Sequence, residues 1–190
     1  MRDEQFIRGD VPMTKSEVRA VSISKLELKP DSVLYDVGAG TGSVSIEASR
    51  FLTGGRVYAI ERKAEAISLI RANKDKFRAD CLEIVEGAAP EAMTGLEAPT
   101  HVFIGGTSGS MEAVLALVLQ KNPKARIVMN VIALESLGAV LTWLKKHSVT
   151  AEIVQVQVSK GRLAGDCHLM LGQNPVYVVS FGGEGGTVFE

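Results

Sequence analysis

Ser32-Val33-Leu34-Tyr35-Asp36-Val37-Gly38-Ala39-Gly40-Thr41-Gly42 is the stretch that decides how this chain folds. Its first half is a short β-rich apolar run, which predicts a strand. Its second half alternates glycines, and Gly38, Gly40 and Gly42 let the backbone turn sharply and come close to a ligand. A helix should follow from about Gly42 to Leu52, with free N–H groups at its start. Beyond it, Arg56 to Ile60 predicts a second strand that ends at an acid, Glu61.

Working outward, the same rhythm recurs. Ala64 to Phe77 has the apolar spacing of a half-buried helix, and Leu82 to Val85 predicts a third strand. His101 to Ile104 is a fourth strand, followed by Gly105-Gly106-Thr107-Ser108-Gly109 and a helix over Met111 to Gln120. Arg126 to Val131 is a fifth strand, and Leu134, Leu137, Leu141 and Leu144 mark one stripe of another helix. Ala151 to Val158 and Val176 to Phe181 read as two closing strands, with Ser159 to Asn174 as a long polar connection. Toward the N-terminus, Thr14-Lys15-Ser16-Glu17 fits a capping box for a helix running to about Leu28. Strand–helix alternation implies a parallel sheet with helices on both faces, and the two closing strands imply an antiparallel edge. The fold class is therefore α/β: a Rossmann-like, seven-stranded, mostly parallel sheet. We expect one domain over residues 1–190, with residues 1–30 as an N-terminal helical segment covering a cleft and 182–190 as a flexible tail.

Composition narrows the function classes. The 190 residues suit one core, and 46% hydrophobic with 23% charged residues is an ordinary globular balance. A net charge of −1 argues against a nucleic-acid partner, which asks for a basic face. Cys81 and Cys167 form no C-x-x-C pair, and the three histidines have no paired metal spacing, so no metal site is expected. No apolar run is long enough to span a membrane, and Met1 to Asp10 lacks the apolar core of a signal peptide. A cytoplasmic protein is the expectation.

In such a fold a ligand sits at the carboxyl ends of the strands. Dinucleotide sites want G-x-G-x-x-G, and here Ser43 stands where the third glycine should be. The class I methyltransferase pattern D/E-x-G-x-G-x-G is matched in full by Asp36 to Gly42. Glu61 can accept hydrogen bonds from both ribose hydroxyls, a job that NAD enzymes also give to an acid there, so it does not discriminate alone. The expected cofactor is S-adenosylmethionine. The loop Gly87-Ala88-Ala89-Pro90 would flank the adenine and offers only a backbone N–H at Ala88. The bland alternative is a glycine-rich turn with no ligand.

Beyond this loop the sequence resembles the decarboxylating precorrin-6B (precorrin-6Y) carbon-15 methyltransferases of cobalamin biosynthesis. The resemblance covers nearly the whole chain. It rests on Asp3-Glu4-Gln5-Phe6-Ile7, on Pro12-Met13-Thr14-Lys15-Ser16-Glu17-Val18-Arg19, on Asp36 to Ala48, on Tyr58 to Glu61, on Gly87 to Glu91, on Phe103 to Gly106 and on Gln173 to Val176. The Pro-Met-Thr-Lys-x-Glu-Val-Arg element is the specific part. The resemblance implies cofactor contacts at Thr14, Gly38, Ala39, Gly40, Thr41, Gly42, Glu61 and Ala88. Asn130 keeps one residue of the family's Asn-Ala element and is the candidate catalytic residue. A homotetramer is implied too, as is methylation of carbon 15 with loss of carbon dioxide from the carbon-12 acetate.

Such a tetrapyrrole substrate is a polycarboxylate and needs cations. Lys15 and Arg19 are four apart and so share a helix face, and Lys160 and Arg162 lie in the long connection. Gly106 and Thr107, after the fourth strand, would line the entrance for a broad flat substrate. Each cation could equally be a solvated surface charge. The sulfonium is already electrophilic, so positioning should carry much of the rate and no strong base is required. An RNA or protein methyltransferase on the same fold is the alternative function, and a non-catalytic scaffold is a third. The stand-alone chain favours a cobalt-containing substrate over a metal-free one.

Overall fold

Four of the five side chains of β1 (Val33–Val37) are buried, which makes this strand the centre of the molecule. Period-two alternation sorts its residues onto two faces. Leu34, with Val57 and Ala59 of β2 (Arg56–Glu61), joins one apolar layer that includes Ile46, Ile70 and Leu26. Tyr35 and Val37, with Tyr58 and Ile60, join the other, which includes Val114, Leu115 and Trp143. Burial on both faces is what makes these strands continuous apolar runs in the sequence. The structure, a computed structural model, describes residues 1–183.

The remaining elements in chain order are α1 (Ser16–Leu26), α2 (Ser43–Ser49), α3 (Ala64–Phe77), β3 (Leu82–Glu86), β4 (His101–Ile104), α4 (Met111–Lys121) and β5 (Arg126–Val131). They are followed by α5 (Leu134–Lys146), β6 (Glu152–Val156), β7 (Ser159–Ala164), β8 (Cys167–Gly172) and β9 (Val176–Phe181). The main sheet has seven strands in the order β3-β2-β1-β4-β5-β9-β6. The first five are mutually parallel, while β9 runs antiparallel between β5 and β6. The α/β class and the antiparallel edge thus match the expectation. The winding reverses between β1 and β4, so their carboxyl ends diverge and open a cleft.

Three expectations need correction. The polar connection Ser159 to Asn174 is largely a two-stranded hairpin, β7–β8, turning at Gly165 with φ +61°. A residue in the left-handed region at a two-residue turn suits a hairpin. Every residue of both strands is exposed, so no buried face imposed the alternation that marks a strand. Second, the N-cap of α1 is Lys15, without a side-chain cap bond, so the Thr14–Glu17 capping box does not form. Glu17 instead pairs with Lys160 at 2.9 Å, which holds its carboxyl below the usual range. Third, the N-terminal segment is mostly non-helical before Ser16: one 3-10 turn at Asp3–Gln5, then a strap of loop. Of the expected tail, 184–190 lies outside the described residues; Gly182 and Gly183 are bonded to Arg126 and Lys124. Among the described residues no helix is long and apolar enough to cross a membrane.

Candidate functional site

The glycine loop is built for close approach. Gly38, Gly40 and Gly42 have φ of +73°, +57° and +75°, a region that side chains other than glycine rarely adopt. Gly38 N and Ala39 N both donate to Ile60 O of β2, at 3.0 and 3.1 Å. A Cβ on Gly38 would lie 2.3 Å from Gly106 O, so the loops after β1 and β4 touch backbone to backbone. The cleft beside them has a volume of about 860 Å³, in the range of small-molecule sites.

Glu61 closes one wall. Its Oε1 accepts from Arg62 N at 2.8 Å and Lys63 N at 3.0 Å, and its Oε2 accepts from Gly40 N at 3.0 Å. A carboxylate has about four acceptor positions, so one remains for a ligand hydroxyl. Asp36 lies at the end of β1, 1% exposed. Its Oδ2 accepts from both the backbone N–H and the hydroxyl of Ser45, while Oδ1 is buried with no partner among the described residues. Burial pushes its carboxyl up to about 6; the Ser45 bonds pull the other way and the nearby Glu61 charge adds to the rise. The cleft wall therefore holds one carboxylate oxygen that lacks a hydrogen-bond donor among the described residues.

Of the residues singled out from sequence, Thr14, Lys15, Gly38, Ala39, Gly40, Glu61, Ala88, Gly106, Thr107 and Asn130 all line this cleft. The structure leaves the others elsewhere. Thr41 is buried beneath the loop, with its carbonyl bonded to Asn73 Nδ2. Gly42 is the N-cap of α2, facing Ile70. Arg19 is 0% exposed and pairs with Glu47 and Asp3, so it meets no substrate. Lys160 and Arg162 stand on the exposed hairpin, Lys160 held by Glu17, and neither lines the cleft.

Two features escaped the sequence, and one wall lies in a segment expected to cover the cleft. Arg62 and Lys63 line the cleft, and the Arg62 guanidinium reaches across it to Ser108 Oγ at 3.2 Å. Their signal was available: they directly follow the acid that ends β2. Val11 to Met13, within the N-terminal segment expected to cover the cleft, form another wall, lying against the glycine loop with Pro12 O 3.1 Å from where a Gly40 Cβ would be. Ser22, fully buried on α1, donates to Asn130 Oδ1 at 3.0 Å across 108 residues of sequence. Nothing local in the sequence links those two.

The comparisons with known proteins agree with this geometry. The family profile described as Precorrin methyltransferase domain matches residues 5–181. A protein of Salmonella typhimurium named cobalt-precorrin-6B C(15)-methyltransferase (decarboxylating) is 40% identical, over 95% of this chain and 94% of its own. A Pyrobaculum calidifontis protein named as a probable enzyme of the same kind is 40% identical, over 94% of this chain and 93% of its own. The crystal structure of a precorrin-6y C5,15-methyltransferase from Geobacter metallireducens superposes with a TM-score of 0.89 at 37% identity, covering 95% of this chain and 96% of that one. An O-methyltransferase of Thermotoga maritima, at 12% identity and a TM-score of 0.72, shares the fold alone. With a match across almost its whole length and an intact cleft at the switch point, this chain belongs to the precorrin methyltransferase domain family.

Proposed function

We propose that this protein transfers a methyl group from S-adenosylmethionine to carbon 15 of a cobalt-precorrin, and removes the carbon-12 acetate carboxyl as carbon dioxide, in cobalamin biosynthesis. The observation that carries this reading is the near full-length likeness to the Salmonella typhimurium protein of that name. Cobalt belongs to the substrate here.

The residues of the cleft fit the cofactor. S-adenosylmethionine carries two positive centres, an ammonium and a sulfonium, and Asp36 and Glu61 both line the cleft, with Asp36 Oδ1 unpartnered. When bound, the cofactor supplies an electrophilic methyl group. Glu61 then offers its remaining acceptor position to the ribose, Ala88 its backbone N–H to the adenine edge, and Thr14 a contact from the strap. Arg62 extends over the opening.

Of the cations expected for the polycarboxylate, Lys15 stays at the cleft, and Arg62 and Lys63 take the place of Arg19, Lys160 and Arg162. Lys15, Arg62 and Lys63 line the cleft, and a guanidinium is suited to bidentate carboxylate binding. Gly106 and Thr107 flank the entrance. Ile132, Val158 and Val176 give the β5–β9–β6 side an apolar wall. A carboxylate pressed against such a wall loses hydration, which favours a transition state with dispersed charge. Asn130, held by Ser22, brings its amide to the same side and is the candidate catalytic group. We further read the protein as a cytoplasmic homotetramer. The hairpin supports the assembly: Leu163, Leu169, Met170 and Leu171 are 62, 55, 66 and 49% exposed, on two strands in which no residue is buried. An isolated hairpin is marginal in water, and exposed apolar patches mark interfaces.

The test is to incubate the protein with S-adenosylmethionine and the tetrapyrrole precursor and weigh the product. A product that has gained one methyl and lost carbon dioxide is expected. Methylated RNA or protein, with the tetrapyrrole untouched, would overturn the proposal.

A further inference from the structure

Residues 8–13 cross the cleft rim between two buried polar anchors. The first is Asn73 on α3, 0% exposed. Its Oδ1 accepts from Ile7 N at 2.8 Å, and its Nδ2 donates to Ile7 O at 3.1 Å and to Thr41 O at 3.0 Å. One amide thus ties the start of the strap to the glycine loop. The second is Arg19 on α1, also 0% exposed. Its guanidinium donates to Thr14 O at 2.5 Å, Met1 O at 2.7 Å, Asp3 Oδ1 at 3.2 Å and Glu47 Oε2 at 2.6 Å. It also lies over the Phe6 ring, 4.9 Å from the centroid. All three of its nitrogens are engaged, and two of its bonds go to strap or turn carbonyls.

Helix–sheet packing does not require this arrangement. A buried guanidinium is costly to desolvate and is retained where its geometry fixes something. What it fixes here is the peptide at Thr14, next to Lys15 and beside the wall of Val11, Pro12 and Met13. Asn73 fixes the other end and the loop beneath it.

We propose that Arg19 and Asn73 are positioning residues that clamp the strap of residues 8–15 over the glycine loop, so that the strap forms a fixed wall of the cofactor site. The proposal rests on the methyltransferase reading for the identity of the ligand, but its mechanical half stands on the bonds above. Arg19 acts through Thr14 and touches no substrate. Lysine at this position would keep the charge and lose the fork that reaches three elements at once.

Two variants, Arg19→Lys and Asn73→Ala, test it by two readouts. The first is hydrogen exchange without cofactor. The bonded amides that lead into the strap, those of Gln5, Phe6 and Ile7, should exchange faster in both variants, while those of β2 and β3 stay at the wild-type rate. The second is calorimetric binding of S-adenosylmethionine, which should weaken about tenfold or more, the worth of a charge-assisted hydrogen bond expressed as affinity. Faster exchange throughout the molecule means general destabilisation and overturns the proposal. So does unchanged exchange of those three amides in both variants, or their faster exchange with wild-type affinity. If the wild type itself binds no S-adenosylmethionine, the methyltransferase reading fails, and exchange of those amides still judges the anchors.

Discussion

Replacing Gly38 with alanine should damage stability and the cofactor site together, and the size of the damage follows from two distances. The native φ of +73° costs a non-glycine residue roughly 1–2 kcal/mol. The new Cβ would also stand 2.3 Å from Gly106 O. That atom is backbone held by the β1–β4 pairing, so it moves only if the loop after β4 is pushed back by about an ångström. Overpacking of this kind adds roughly 1–3 kcal/mol. The sum, roughly 2–5 kcal/mol, is a large share of the stability of a domain this size. It corresponds to a melting point lower by roughly 5–20 °C. Gly106→Ala is the matched control, because a Cβ there meets nothing within 4 Å; its stability should stay within about 0.5 kcal/mol of wild type. Thermal unfolding with and without S-adenosylmethionine reads both effects. Wild type and Gly106→Ala should gain stability from the ligand by mass action, whereas Gly38→Ala should lose most of that gain. If Gly38→Ala melts with the wild type and keeps the full ligand shift, the backbone contact between the two loops does not shape the site.

Two further outcomes are expected. Asp36 ionises near 6 in the folded protein against 3.8 in an ordinary chain. The folded state therefore holds its proton more tightly, and stability from this group is full below about pH 4 and lost as pH rises to about 6, by about 3 kcal/mol. Urea unfolding from pH 4 to 7 should show that decline, and Asp36→Asn should flatten it; an equal slope in both proteins removes Asp36 as the cause. Because a cationic ligand favours the ionised form, binding near pH 6 should also release protons, visible as a buffer-dependent heat. On the hairpin, Leu163 and Met170 share one face by register. Changing both to Ser should convert an oligomer to smaller species in sedimentation velocity, and a wild type that sediments as a monomer would refute the assembly.

The parts of the fold that were legible are those whose local pattern and tertiary role coincide. β1, β2 and β4 are buried on both faces, so their apolar runs needed no partner to be recognised. The hairpin fails that condition. Leu163 stands opposite His168, and Arg162 opposite Leu169, so each face mixes polar and apolar groups and neither is buried. No burial among the described residues imposes an alternation on it. The helix start at Ser16 was misread for a related reason. Thr14 and Glu17 have the capping-box spacing, but Glu17 is drawn to Lys160 on the hairpin and the Thr14 carbonyl to Arg19. Long-range charge pairing overrode a local motif.

The site separates along the same line, and the cations show why. Lys15 and Arg19 are four apart, which places two helical residues on one face. Lys15, however, is the N-cap, with an extended ψ of 152°, so the rule does not reach it. It lines the cleft while Arg19 turns fully inward. Spacing identified a pair of positive charges and could not assign them, because burial is decided by Glu47 and Asp3, which come from other segments. Arg62 and Lys63 present the reverse case. Their backbone N–H groups bind the Glu61 carboxylate, which fixes the chain after β2 and leaves both side chains at the cleft. The acid noticed for its own chemistry thus also sets two of the cations, and any residue placed after it would inherit that position. A charge beside a motif acid is in this fold better placed to meet a ligand than one chosen by helix periodicity.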